Sequence, residues 1–233
     1  MSENNRKTRF RQVHGRIKGA KLSARKQRLC DELLPTLRLS PPQQADSLVP
    51  ASLFANAPSQ IWLEIGFGGG EHLAWQAAHN PDIGMIGCEP FLNGVAKLLV
   101  YIDEQELQNI RIRDDDAVHV LQALAPASID RLFLLHPDPW PKKRHHKRRF
   151  VSPHILDLMA KVLKRGAELR FASDIAHYVF WTLKHMAQRT DFQWSAQSAK
   201  DWRTRPDDWP ATRYGQKALR QGRPPAHLIF IKK

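Results

Sequence analysis

IWLEIGFGGGEHLAWQA, residues 61–77, sets four glycines in five positions between an apolar run and a helix-like pattern. Glycine loses more backbone freedom on folding than any other residue, so this density marks a sharp turn or a ligand lying close to the backbone. IWLEI reads as a short buried strand and Glu71 to about His79 as the helix that follows. A dinucleotide fingerprint beginning at Gly66 needs its third glycine at position 71, where Glu71 stands, and no Lys-Ser/Thr follows the glycines as a phosphate-cradling loop requires. Glu64 and Glu71 would also surround a pyrophosphate with negative charge. The loop therefore suits a cationic ligand.

Working outward, strands and helices alternate. GMIGCE (84–89), NIRIRD (109–114), IDRLFLLH (129–136), AELRFAS (167–173) and AHLIFIKK (226–233) read as strands. Helical spacing runs through FLNGVAKLLVYIDEQ, VHVLQAL, FVSPHILDLMAKVLK and IAHYVFWTLKHMAQR. This alternation predicts an α/β protein with a mostly parallel sheet, whose ligand crevice lies at the carboxyl ends of the strands. Glu64, Gly66, Glu89, Asp116, Asp138 and Asp174 all fall at or just beyond such ends. Upstream, a helix from Leu22 to Leu34 stops near Pro35, and 35–59, with five prolines, reads as a linker without regular structure. The organisation expected is a basic, flexible arm over 1–28 suited to RNA, a lead-in helix and linker over 29–59 and one domain over 60–233.

S-adenosylmethionine meets the loop's requirement. Its sulfonium is positive, its carboxylate suits backbone N–H groups at Gly66, Gly68 and Gly70, and its ribose carries two hydroxyls. Glu89 at the second strand end suits those hydroxyls, as an acid there does in other α/β folds. Asp116 beside the third strand suits the adenine amino group.

Lys and Arg number 36 against 23 Asp and Glu, a net of +13. Residues 1–28 hold ten bases and Glu3, a net of +9, and residues 136–150 hold six bases against Asp138, a net of +5. The rest of the chain is left at −1, so a nearly neutral body carries two concentrated basic blocks. That distribution points to a polyanionic partner. No apolar segment approaches the length of a membrane helix, and no apolar core follows the N-terminal bases as in a secretory signal. Two cysteines, Cys30 and Cys88, read as inert buried thiols in a reducing, cytoplasmic setting.

The second basic block, HPDPWPKKRHHKRRF (136–150), opens with three prolines that exclude a regular helix or central strand. Asp138 sits in that stiff frame, followed by Lys142, Lys143, Arg144, Lys147, Arg148 and Arg149. An acid held beside such a run implies a partner that is both gripped and oriented. His145 and His146, flanked by cations, make a poor metal pair, and no metal is expected. Trp140 suits either stacking on a base or packing beneath the loop.

EIGFGGG, GCEP, DDDAVHVL, LHPDPWPKKRHHKRR, FASDIAHY and TRPDDWPATRYGQKA occur in this order over roughly residues 60–220. In this the chain resembles bacterial tRNA (guanine-N7-)-methyltransferases. The resemblance implies a class I methyltransferase, a Rossmann-like three-layer sandwich on a seven-stranded, mostly parallel sheet. It implies S-adenosyl-L-methionine as methyl donor and a guanine in the variable loop of tRNA as acceptor. It further implies Glu64, Glu89 and Asp116 at the cofactor, Asp138 as the catalytic carboxylate that orients and electrostatically stabilises the base, and Lys142, Lys143, Arg144, Arg148, Asp174 and Thr212 toward the substrate. Monomer and homodimer both remain open.

Three positions depart from the family pattern. His136 stands where Phe or Tyr is usual, Gly215 where T-x-[FY]-E expects Glu, and Ala218 where many members have Gly. The missing carboxylate leaves open a protein that binds tRNA and cofactor with weak or lost turnover, or a methyltransferase with another acceptor. Glu106 and Asp208 are the acids considered as its replacement.

Overall fold

The computed structural model describes residues 17–233. Its seven strands lie in the order β3-β2-β1-β4-β5-β7-β6. These are β1 (Gln60–Ile65), β2 (Ile83–Cys88), β3 (Ile110–Arg113), β4 (Ile129–Leu135), β5 (Leu163–Ser173), β6 (Phe192–Trp194) and β7 (Ala226–Lys232). β7 pairs antiparallel with both β5 and β6, while every other pairing is parallel, so β7 alone runs against the rest. The chain winds from β1 outward to β3, then returns to place β4 on the other side of β1. The carboxyl ends of β1 and β4 therefore flank the point where strand order reverses, the place where such sheets open a crevice.

Helices cover both faces and complete three layers. One face buries Trp62, Met85 and Phe133 beneath α1 (Ala24–Glu32), α2 (Leu34–Leu37), α3 (Glu71–His79) and α4 (Leu92–Gln105). The other buries Ile61, Leu63, Ile65 and Leu134 beneath α5 (Ala117–Ala123), α6 (Pro153–Val162) and α7 (Ala176–Met186). Alternation along β1 explains the division, since successive side chains of a strand point to opposite faces. Two shorter helices, α8 (Ala199–Arg203) and α9 (Arg213–Arg220), follow β6 and precede β7 in the chain.

Two expectations are corrected here. The segment 35–59 is part of the body: Leu39 and Leu48 donate to the carbonyls of Ile112 and Ala123 at 2.7 and 2.8 Å, and Leu39, Leu48 and Phe54 are buried. The helix expected to stop near Pro35 ends at Glu32, and Pro35 then stands in the first turn of α2, where no N–H is needed from it. The described part of the basic arm is anchored rather than loose. Leu92 N–H donates to Ile17 O at 2.9 Å, Gly19 N–H to Asn93 Oδ1 at 2.7 Å, and Asn93 Nδ2 to Ala20 O at 2.7 Å. The expectation for residues 1–16 lies outside the described residues. No helix among the described residues is long and apolar enough to cross a membrane.

Candidate active site

The glycine turn after β1 works through its backbone. Gly66, Gly68 and Gly70 have φ of 73°, 57° and 78°, a region that side chains disfavour. A Cβ at Gly70 would also strike Leu98 of α4 at 2.7 Å. Gly70 thus serves helix packing, while Gly66 and Gly68 line a cavity of about 480 Å³ at the carboxyl ends of β1, β2 and β4.

Glu89, Asp116, Asp138 and Arg148 line the same cavity. Glu89 Oε2 accepts from Gly68 N–H at 2.8 Å and Oε1 from Phe91 N–H at 2.9 Å. Burial raises its pKa, those two amides oppose the rise, and the neighbouring charges of Asp138 and Glu64 add to it. A cation in this cavity would relieve that mutual repulsion. Asp116 caps α5, accepting from Val118 N–H at 3.0 Å. Asp138 makes no hydrogen bond or ion pair among the described residues, and partial withdrawal from water raises its pKa.

Glu64 is placed differently. It does not line the cavity but accepts from His72 Nδ1 at 2.7 Å, with both side chains almost fully buried. Gln76 Nε2 lies 3.3 Å from His72 Nε2 and donates to the carbonyl of Asp208 at 2.7 Å. With Gln76 donating to Nε2, the imidazole proton is on Nδ1 and points at Glu64. Glu64 therefore reaches the cavity through its charge.

The basic loop divides into two kinds of residue. Lys142, Lys143 and Arg144 are exposed. Arg148 turns inward, its guanidinium 5.1 Å from the Trp140 ring centroid, and both residues line the cavity. Residues Lys143–Arg148 form a 3-10 turn, which the proline-rich reading left as irregular loop. Arg149, read as part of a surface run, is 1 % exposed. Its Nε donates to Pro139 O at 2.8 Å, and its guanidinium lies 4.8 Å from Trp181 and 5.1 Å from Tyr178. It bolts the loop to α7.

Asp174 and Thr212 stand apart from this cavity. Asp174 Oδ2 accepts from Arg223 Nε at 3.0 Å, and Thr212 caps α9 by accepting from Gly215 N–H at 3.0 Å. Thr212 and Gly215 line a second cavity of about 220 Å³. Neither acid considered as a substitute for the missing carboxylate lines either cavity. Asp208 is bound to Arg170 at 2.9 and 2.8 Å, and Glu106 caps the far end of α4. Cys88 is buried at the first cavity and its pKa is pushed well up by that burial, whereas Cys30 is only partly buried.

Sequence reasoning missed Tyr214, Phe91 and Gly94. Tyr214 is 61 % exposed at the mouth of the first cavity, with its ring 3.4 Å from a Cβ placed on Gly68. Tyr214 fills the aromatic place of the T-x-[FY]-E pattern, the one signal in the sequence that could have found it.

A family model described as "Putative methyltransferase" matches residues 58–228. The tRNA (guanine-N(7)-)-methyltransferase of Rhodospirillum rubrum is 50% identical over 222 residues, covering 94% of this chain and 87% of that one. That of Agrobacterium fabrum is 49% identical over 237 residues, covering both chains fully. The chain belongs to the tRNA (guanine-N7-)-methyltransferase family. The first cavity thus opens at the switch point of a class I methyltransferase fold. Among solved structures, the 16S rRNA methyltransferase KamB superposes with a TM-score of 0.52 at 14% identity, over 76% of this chain and 89% of that one. The aminoglycoside resistance methyltransferase NpmB1 gives 0.52 at 12% identity, over 80% and 95%. At such identities these two establish the fold, a Rossmann-like sandwich.

Proposed function

We propose that this enzyme transfers the methyl group of S-adenosylmethionine to N7 of a guanine in tRNA, within the variable loop, and that Asp138 orients the base. The observation that carries the site assignment is that Glu89 and Asp138 open onto one cavity beside the glycine turn. The residues present fit the cofactor: two glycines in a left-handed turn leave room at the backbone, and clustered acids favour a cation.

When bound, S-adenosylmethionine supplies an electrophilic methyl group. Guanine N7 already carries an in-plane lone pair and no proton, so the protein has no proton to remove from it. Its tasks are positioning, exclusion of water and tolerance of the positive charge gained by the base. Asp138 is assigned to accept from the guanine N1 and N2 hydrogens and to balance that charge. Glu89 and Asp116 are assigned to the ribose and adenine, and Gly66 and Gly68 to the backbone cradle. Glu64 adds negative field from behind the turn. Lys142, Lys143 and Arg144 are assigned to tRNA phosphates, together with the basic residues of 1–28, while Asp174 and Thr212 face the RNA side. The reading places the enzyme in the cytoplasm.

Labelled cofactor incubated with a pool of unmodified tRNAs, followed by nucleoside analysis, tests the proposal. N7-methylguanosine mapping to the variable loop is expected. Label on another ring position, or on protein alone, would overturn it.

A further inference from the structure

A chain of buried polar groups joins the glycine turn to the segment that leads into α9. It begins at Glu64, two residues before Gly66, and runs through His72 and Gln76 of α3 to the backbone carbonyl of Asp208. Glu64, His72 and Gln76 are all buried, so each needs its partners inside the protein. The chain has one polarity. The Asp208 carbonyl can only accept, so the atom of Gln76 that meets it at 2.7 Å is the amide nitrogen. The same nitrogen faces His72 Nε2 at 3.3 Å and gives it the second amide hydrogen. The amide oxygen is left to accept from Asn80 Nδ2 at 3.3 Å. His72 thus accepts at Nε2 and donates from Nδ1 to Glu64 at 2.7 Å. Both hydrogens of the Gln76 amide are in use, and its orientation is fixed.

The held segment, RPDDWP over 205–210, belongs to no helix or strand. The Asp208 carboxylate fixes it to Arg170 of β5, and Trp209 buries its indole with the ring centroid 6.5 Å from that of His72. Gln76 takes the carbonyl between those two side chains and ties the segment to α3, the helix that the glycine turn opens. Four residues beyond Asp208, Thr212 caps α9, and the Tyr214 ring stands beside Gly68 at the mouth of the first cavity. The glycine turn is therefore met by α9 on one side and tied, through α3, to the approach of α9 on the other. A buried amide costs free energy until its bonds are made, and an apolar side chain of the same size would fill the space without that cost. What the amide adds is direction: it sets where one carbonyl stands.

We propose that Gln76 is a positioning residue for methyl transfer: by holding the Asp208 carbonyl it fixes the distance of α9, and with it Tyr214, from the glycine turn. Gln76 lines neither cavity and acts through the backbone it holds. The inference rests on the methyl-transfer reading of the first cavity and adds to it a residue that aligns its two sides.

Gln76→Met keeps the volume of the side chain and removes both donors. Its control is Ile102→Ala on α4, a change in the same core but outside the polar chain. The full-length proteins are compared by thermal unfolding, by amide hydrogen exchange and by calorimetric titration with S-adenosylmethionine. Single-turnover methylation of unmodified tRNA, with cofactor and tRNA saturating and well below the melting temperatures, completes the set. Both variants are expected to melt lower than wild type. Only Gln76→Met is expected to exchange faster across 205–215, by about tenfold for one lost hydrogen bond. Its methyl-transfer rate should fall at least about tenfold through misplacement, while cofactor affinity stays close to wild type because Glu89 and Asp116 are untouched. Ile102→Ala should transfer at the wild-type rate. Wild-type exchange over 205–215 in Gln76→Met, a wild-type transfer rate in it, or equal slowing in Ile102→Ala would each overturn the proposal. Should Gln76→Met not fold, Gln76→Asn, which keeps an amide but draws it back by one methylene, is expected to show the same faster exchange and slower transfer. Absence of N7-methylguanosine with wild type would overturn the reaction itself, and the exchange comparison would then decide alone whether Gln76 holds the segment.

Discussion

Gly94, in the first turn of α4, lies so close to the glycine turn that a Cβ on it would stand 2.1 Å from the carbonyl oxygen of Gly68. The amide of the same Gly68 is held by Glu89 at 2.8 Å. The turn is thus gripped through its N–H and crowded at its carbonyl, and backbone cannot yield as a flexible side chain would. Gly94→Ala is expected to destabilise the protein by about 1–3 kcal/mol through overpacking. It should also weaken cofactor binding at least tenfold by displacing Gly68. Thermal unfolding and calorimetric titration check both. An unshifted melting temperature with intact affinity would mean that α4 slides without moving the turn.

In the proposed site Glu64 is assigned to act on the cofactor through its field, while its oxygen is held by His72. Glu64→Gln keeps an acceptor for His72 and removes the charge. Cofactor affinity should fall by about threefold to tenfold with little loss of stability. Unchanged affinity would leave Glu64 as a packing partner of His72 alone.

Six of the seven strands and the placement of the cavity were legible in the sequence, because apolar runs ending in Gly, Glu or Asp carry strand and crevice signals together. β6 was not: Phe192–Trp194 is three residues long, and only its pairing with β7 makes it a strand. The segment 35–59 looked like linker because its prolines mask the few positions, Leu39, Leu48 and Phe54, that the core absorbs. Glu89, Asp116 and Asp138 were legible because strand ends converge at a switch point. The roles of Glu64 and Arg149 were not, since the partners that withdraw them from the surface, His72 and Pro139, are set by tertiary contacts.

Asp138 carries a raised pKa from partial desolvation and has no hydrogen-bond or ion-pair partner among the described residues. An acid whose folded pKa is raised contributes stability at low pH that is lost as pH rises through that pKa. Its ionised form is therefore mildly unfavourable to the fold at neutral pH, and the ionised form is the one proposed for orienting guanine. Asp138→Asn should lower turnover about a hundredfold while sparing cofactor affinity, with a melting temperature equal to or above wild type at neutral pH. In wild type, turnover should fall as pH drops through the raised pKa, and that limb should vanish in the variant. Equal loss of turnover and cofactor binding would overturn the role.

Lys142, Lys143 and Arg144 are exposed and lie outside both cavities. Their joint replacement by Ala should weaken tRNA binding and flatten its dependence on the logarithm of salt concentration by about two. Affinity for free cofactor should stay unchanged. A salt slope identical to wild type would show that the exposed loop makes no phosphate contact.

Arg149 separates architecture from grip within the same basic run. A phosphate ligand would tolerate Arg149→Lys, since the charge is kept. The structure gives the guanidinium three other tasks: a bond to Pro139 O, one to His177 Nδ1 at 3.0 Å, and a flat face against Trp181. Lysine has neither the fork nor the plane to perform them together. Arg149→Lys is accordingly expected to cost about 2 kcal/mol of stability. Because Pro139 follows Asp138 directly, loosening that carbonyl should also reduce turnover more than tRNA affinity. Urea unfolding, single-turnover methylation and tRNA titration at two salt concentrations measure the three quantities. A variant as stable as wild type, with tRNA affinity as its only loss, would make Arg149 a phosphate contact and leave the proline-rich loop to be held by its other anchors.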